Sequence, residues 1–182
     1  MNLHEIKQYL EEKKYDAMLI TRDNQFLEQD ILTAENRILA LTGFSGSAAT
    51  LIVTREKACL FTDGRYEIQA NRQVDPAEVE VICTKTNGPI NWLRDKFPGK
   101  AKMEYNPWCV SIKEIDNIQR LLPNLKLIAK AELFPVEAAS VFSHELQYCG
   151  IEAQQKHQQV IEFLRQRGCD ACLISGADSV SW

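Results

Sequence analysis

The stretch LTGFSGSAAT, residues 41–50, combines glycines and hydroxyl side chains as phosphate-binding loops and catalytic serine turns do. A phosphate-binding loop needs a glycine, four residues and then Gly-Lys-Ser/Thr, but the first lysine after Gly46 is Lys57. A dinucleotide fingerprint needs a third glycine that opens a helix, and a nucleophile turn needs Gly-x-Ser-x-Gly; neither spacing is present. We interpret the stretch as a turn whose glycines allow positive φ or close backbone approach.

Two of the six cysteines, Cys169 and Cys172, have the spacing of redox and zinc motifs. A redox pair begins a helix, where the thiolate is stabilised. These two span the start of a predicted strand, where side chains three apart point to opposite faces. No second pair or histidine cluster completes a tetrahedral zinc site. We interpret both cysteines as structural.

The three histidines, His4, His144 and His157, lack a second histidine at metal-binding spacing. We expect all three at the surface, and no Ser-His-Asp arrangement is evident.

The segment FTDGRYEIQA, residues 61–70, offers a better candidate. It predicts a strand that ends at Asp63 and a helix that begins at Arg65, so Asp63 can accept hydrogen bonds from the first helical amides. A cation is unfavourable near a helix N-terminus. Arg65 is therefore expected to have a partner, either a carboxylate in a structural ion pair or a ligand anion.

The elements that position these residues alternate along the chain. Apolar spacing predicts a helix with Leu3, Ile6 and Leu10 on one face. Turns, apolar runs and a Ser111-x-x-Glu114 capping box predict further elements. The expected strands are 16–21, 49–55, 57–63, 79–84, 100–106 and 125–130, the expected helices are 65–74, 87–97 and 112–122, and 22–40 is expected to be loop with some helix. The pattern predicts an α/β fold with a mixed sheet flanked by helices.

An internal sequence repeat, called the echo below, suggests a second domain. Residues 6–21, IKQYLEEKKYDAMLIT, resemble residues 160–175, VIEFLRQRGCDACLIS. We expect a first domain over 1–132, a connector over 133–149, and the first helix and strand of a second α/β domain over 150–182. The chain then stops in mid-element, so we expect it to be a piece of a longer protein. Chance similarity between helix–turn–strand units is the alternative.

Composition excludes several classes of protein. The chain has 182 residues, a net charge of −4 and 45% hydrophobic residues, which suits a globular protein without a broad basic field for nucleic acid. No apolar run reaches the roughly 20 residues that span a bilayer. The polar, acidic start is not a secretory signal, so we expect a cytoplasmic protein with reduced thiols and without membrane contact.

Together these motifs resemble the N-terminal domain of the Xaa-Pro aminopeptidase (aminopeptidase P) family, in the creatinase/prolidase group. The resemblance runs from Arg37 through LTGFSGSAATLIVT to LFTDGRYEIQA, and more loosely over residues 1–182. Ala49 departs from the family, which often has glycine there. The resemblance implies a ribonuclease H-like creatinase/prolidase N-terminal fold. It places Arg37, Asp63, Arg65 and Tyr66 in family motifs, as an internal buttress of the domain or, for Arg65, near substrate.

The resemblance also implies a parent enzyme that hydrolyses N-terminal Xaa-Pro bonds with two divalent metal ions, taken to be manganese. Their ligands would lie in a catalytic domain absent from this chain, so we expect neither catalytic residues nor metal here. The chain would serve homo-oligomer association and shape access of proline-containing peptides. The alternatives are a stand-alone binding or dimerisation module and, on fold class alone, a nucleotide-binding domain.

Overall fold

The first helix forms where the apolar spacing predicts it. In the computed structural model, α1 (Leu3–Lys13) buries Leu3, Ile6 and Leu10 on one face. The Asn2 and Glu5 side chains cap its first turn reciprocally. The structure describes residues 1–28, 31–132 and 142–181. The chain divides into two units, Met1–Pro135 and Val136–Trp182, which are described separately.

The first unit continues with strands and helices in alternation. The helices are α2 (Arg37–Thr42), α3 (Glu67–Gln73), α4 (Pro89–Lys96) and α5 (Ile112–Leu121), with a 3-10 turn at Thr33–Glu35. The strands are β1 (Ala17–Thr21), β2 (Ala49–Thr54), β3 (Ala58–Thr62), β4 (Val79–Cys83), β5 (Ala101–Tyr105) and β6 (Leu125–Ala129). Each predicted strand of this unit is confirmed, and the predicted loop over 22–40 contains the start of α2, which runs on into the glycine-containing stretch.

The six strands form one mixed sheet in the order β4-β3-β2-β1-β5-β6. β2 pairs antiparallel with both β1 and β3, whereas the other neighbouring pairs are parallel. The carboxyl ends of five strands therefore share one edge with the amino end of β2.

Two cores lie on opposite faces of this sheet. On one face, Met18 and Ile20 of β1 pack in a cluster with residues of α1, α2 and α3. On the other, Ala17 and Leu19 pack in a cluster with residues of α4 and α5. Because side chains alternate along a strand, β1 is buried on both faces, as all five of its residues show. These cores confirm the mixed α/β fold.

The second unit contains three helices in its described part, α6 (Leu146–Cys149), α7 (Ala153–Gln166) and α8 (Ala177–Ser181). α7 is the predicted helix of the echo. The echo's predicted strand does not form: residues 171–175 are in no strand, and Leu173 is 94% exposed. A strand needs a neighbour to pair with, and the described residues supply none. The predicted connector lies outside the described residues at 133–141, and α6 occupies its end.

Candidate functional site at the carboxyl edge of the sheet

The two sequence motifs meet at one edge of the sheet. The glycine-containing stretch enters β2, and the TDGRY segment leaves β3. Ala49 and Thr62 are cross-strand partners where these strands begin and end. The hairpin therefore brings residues 45–47 beside residues 63–66, although nearly 20 positions separate them in sequence.

Asp63 and Arg65 form an exposed ion pair. The Arg65 Nε lies 3.1 and 3.2 Å from the two Asp63 carboxylate oxygens, and Nη2 lies 2.7 Å from Oδ2. The guanidinium holds the pKa of the Asp63 carboxyl below its usual range, chiefly through these hydrogen bonds. The expected partner of Arg65 is thus a carboxylate of the chain itself.

The predicted helix-capping role of Asp63 is wrong. Asp63 Oδ1 accepts a hydrogen bond from the Arg65 amide at 2.9 Å, but α3 begins only at Glu67. Its N-cap, Tyr66, makes no side-chain capping bond. The carboxylate therefore closes the turn that precedes the helix.

Tyr66 joins the two motifs. Its hydroxyl lies 2.6 Å from Ser47 Oγ, and its ring packs edge-on against Phe44 with centroids 6.1 Å apart. The Arg65 guanidinium lies 5.3 Å from the same ring. Phe44 is fully buried, so Tyr66 is anchored from the core side.

Gly46 is required by this packing. A Cβ at this position would lie 2.2 Å from Phe44 Cζ and 2.8 Å from Tyr66 Cδ1. Gly43 meets a different requirement, since its φ of 76° ends α2 in the left-handed region. Both glycines thus have the backbone roles that the sequence predicts for this turn.

A glutamine pair that the sequence analysis missed fixes the start of this turn. Gln73 Oε1 accepts a hydrogen bond from the Ser45 amide at 3.0 Å, and Gln69 Nε2 donates to Ser45 Oγ at 3.0 Å. The two glutamines lie four residues apart on α3 and so share a face. Their spacing of four residues in a predicted helix is the sequence signal that could have identified this pair.

Arg37 lies elsewhere on the same edge. It begins α2 and forms an ion pair with Glu132 at 2.9 Å. It lines a small cleft between the ends of β1 and β5, whose lining includes Glu104, Asn106 and Lys130 but none of residues 63–66. The structure therefore groups Asp63, Arg65 and Tyr66, and places Arg37 in a different setting.

A buried carboxylate near Arg37 also escaped the sequence analysis. Glu104 accepts a hydrogen bond from the Tyr9 hydroxyl at 2.5 Å and lies 3.8 Å from the Lys130 ammonium. Burial and the Glu104 carboxylate raise the pKa of Tyr9. The three residues tie α1 to the end of the sheet, and no local sequence pattern links them.

The remaining candidates behave as surface groups. The three histidines are exposed, as predicted. Cys169 and Cys172 are exposed as well, which the sequence analysis did not predict. Both are free cysteines, and neither lies at the start of a helix or in a strand. Over the described ranges, no three His, Cys, Asp or Glu side chains are grouped to hold a metal ion. No helix of the described chain is both long and apolar enough to cross a bilayer.

Comparison with known proteins agrees with the fold. The family model for the creatinase/prolidase N-terminal domain matches residues 3–135. Aminopeptidase P1 of Arabidopsis thaliana is 27% identical over 180 residues, which cover 92% of this chain and 28% of the relative. Human Xaa-Pro aminopeptidase 2 is 25% identical over 199 residues, which cover all of this chain and 29% of the relative. The chain thus spans less than a third of the length of these relatives.

A solved structure shows the same fold. The X-prolyl aminopeptidase of Caenorhabditis elegans, described as a cytosolic enzyme with a di-nuclear active site, aligns with a TM-score of 0.75 at 23% identity. The alignment covers 92% of this chain and 30% of that one. With the family model matching well over half of its residues, the chain belongs to the creatinase/prolidase N-terminal domain family.

Proposed function

We propose that this chain is the non-catalytic N-terminal region of an Xaa-Pro aminopeptidase, a cytoplasmic enzyme that hydrolyses the N-terminal Xaa-Pro bond of peptides. The observation that carries the proposal is the similarity to named Xaa-Pro aminopeptidases along 92–100% of the chain. The paired motifs at the carboxyl edge of the sheet support it.

The metal chemistry belongs to another part of that enzyme. Two divalent ions, which we take to be manganese, would supply Lewis-acid activation of a water there. The residues described in this chain do not fit such a centre, because none of their His, Cys, Asp and Glu side chains group to hold a metal ion. No catalytic step is therefore assigned to residues of this chain.

The role of the chain in the enzyme is to support homo-oligomer contacts and to narrow the path of proline-containing peptides. Asp63 and Tyr66 act mainly as an internal buttress, since their partners lie within the same edge. Arg65 differs because its side chain is 72% exposed while Asp63 fixes its orientation. A guanidinium presented in this way can meet a carboxylate of a neighbouring subunit or of a peptide.

Peptidase assays of the purified chain test the non-catalytic assignment. With manganese added, we expect no hydrolysis of an Xaa-Pro-containing peptide above the buffer rate. Metal-dependent turnover by the pure chain, removed by a chelator, would contradict the proposal.

The role of Arg65 is tested in the protein encoded by the complete reading frame. Arg65→Ala is expected to raise KM for Xaa-Pro peptides or weaken subunit association several-fold, with Arg65→Lys only partly restoring either. Arg72→Ala, at an exposed arginine on α3, is the matched control. Equal KM and equal oligomer mass for all three variants would leave Arg65 with a structural role only.

A stand-alone binding or dimerisation module is the second candidate, favoured by the lack of a metal-holding cluster among the described residues. The reading frame distinguishes the two. Several hundred further codons after Trp182 support the aminopeptidase, whereas an early stop codon supports the module.

A further inference from the structure

Part of the sheet carries, on one face, none of the helices described in the first unit. Met103 and Leu127 belong to the core beneath α4 and α5. Because side chains alternate, Lys102, Lys126 and Ile128 face the opposite side, where α1, α2 and α3 pack in the other core. Lys102 and Lys126 are exposed and Ile128 is only half-buried. Glu104, the register partner of Ile128, is buried beside Tyr9, so the open part of this side is the beginning of β5 and β6.

Two like charges face each other on this open surface. Lys102 and Lys126 are direct register partners in the parallel pair of β5 and β6. Among the described residues of the first unit, no carboxylate lies within ion-pairing distance of either ammonium, whereas the nearby Lys130 lies 3.8 Å from Glu104 and 4.4 Å from the Tyr9 ring centroid. Like charges directly opposite one another destabilise a sheet. The lysine pair therefore lowers the stability of the sheet. Such local costs in natural proteins occur mainly at functional sites.

The width of two neighbouring strands matches the width of one helix. Two strands span about 10 Å in the hydrogen-bonding direction, and a helix with its side chains is about 10 Å wide. Tyr9 of α1 forms one wall, through its contact with Glu104 and Lys130. Ile128 offers an apolar contact on the floor, between the positions of Lys126 and Lys130.

We propose that this surface, the lysine slot formed by Lys102, Lys126 and Ile128, docks an acidic amphipathic helix of a partner protein. The partner would place Asp or Glu side chains over the lysine pair and an apolar side chain on Ile128. The positive charge is confined to the lysine slot, which is one helix wide, while the whole chain has a net charge of −4. The slot therefore suits a short acidic segment rather than a nucleic acid or an anionic membrane. The proposal does not depend on the peptidase assignment.

Stability measurements test the charge argument first. Lys126→Glu converts the like-charge pair into an opposite-charge pair and is expected to raise the folding equilibrium constant about threefold, while Lys126→Gln has a smaller effect of the same sign. The midpoint and slope of chemical unfolding give this constant. A Lys126→Glu variant that is no more stable than wild type would overturn the argument, because the lysines would then not oppose each other.

Binding measurements test the occupant. The probe is a synthetic helical peptide with glutamates along one face and leucines along the other, and its control is the same peptide with lysines in place of glutamates. We expect salt-sensitive binding of the acidic peptide only, weakened at least tenfold by Lys126→Glu and unchanged by Lys113→Glu on α5. Equal affinity for wild type and Lys126→Glu would overturn the site.

The mass of the chain in solution separates a partner from a second copy. We expect wild type and Lys126→Glu to have the same mass by light scattering. A dimer that Lys126→Glu dissociates would assign the slot to contacts between copies and overturn the partner-helix proposal.

Discussion

At the scale of single residues, the packing around Gly46 decides the geometry of the carboxyl edge. The Phe44 ring is fully buried beneath it and the Tyr66 ring lies beside it. The hydrogen atom of glycine is the largest substituent that both rings leave room for. The position of Tyr66, and with it the Ser47 hydrogen bond, therefore depends on a residue that makes no polar side-chain contact.

Gly46→Ala is expected to destabilise the first unit by about 1–3 kcal/mol, because the Phe44 ring cannot move without opening the core. Chemical denaturation gives the change in free energy of unfolding. Gly99→Ala is the control, since its Cβ would meet nothing within 4 Å, and it should stay within about 0.5 kcal/mol of wild type. Equal losses in both variants would show that ring packing is not the cause.

Tyr9 makes the unfolding free energy of the first unit depend on pH in the alkaline range. Its pKa is raised by burial and by the Glu104 carboxylate, so the folded protein keeps the phenol neutral above the unfolded value of 10.0. The stabilisation is complete below that value and is lost as the pH rises beyond it. We expect wild type to lose unfolding free energy more steeply than Tyr9→Phe above pH 10, measured by denaturation across that range. Parallel curves for the two proteins would contradict this.

At the scale of elements, α5 shows how a local signal sets a boundary. The predicted capping box is half formed: Ser111 Oγ accepts the Glu114 amide at 3.2 Å, and the structure gives no return bond from the Glu114 side chain. The Glu114 side chain is instead exposed to solvent. The helix begins where predicted because the serine half of the box is sufficient.

Ser111→Ala is expected to cost about 1 kcal/mol of stability, since it leaves a first-turn amide of α5 without its acceptor. Ser111→Thr keeps an acceptor oxygen and should lose much less. Thermal or chemical unfolding of the two variants measures the difference. Comparable stability of the alanine variant and wild type would mean that solvent replaces the cap.

At the scale of the whole molecule, the two units bury apolar side chains to very different degrees. The first unit holds both cores, whereas Phe163 of α7 is 52% exposed. Local opening is easiest where few apolar groups are buried.

Hydrogen exchange measures this difference directly. Amides of α7 are expected to exchange about a hundredfold faster than those of β1 and β2, because the strands lie between two cores. Mass spectrometry of deuterated peptides provides the rates. Protection of α7 equal to that of β2 would contradict the prediction.

The sequence was sufficient where structure depends on neighbours in the chain. The spacing of Leu3, Ile6 and Leu10 predicts α1, and the alternating strands predict the mixed sheet. Contacts that depend on the order of strands in the sheet could not be predicted from the sequence, because their residues, such as Tyr9 and Glu104, are 95 positions apart. The capping error at Asp63 has a local cause, because α3 starts two residues later than predicted.

Because β2 and β3 form a hairpin, the distance between the two motifs in the structure does not depend on the number of residues between them in the sequence. Ser47 and Asp63 flank its open end, so the width of one strand pair sets their separation, about 5 Å between strands. Lengthening both strands by matched pairs of residues would move the turn at Arg55 and Glu56, at the opposite edge of the sheet, and would leave Ser47 and Asp63 side by side. Relatives can therefore drift in the number of residues between the motifs while the Tyr66–Ser47 contact stays the same, and a search for distant members should allow this interval to vary.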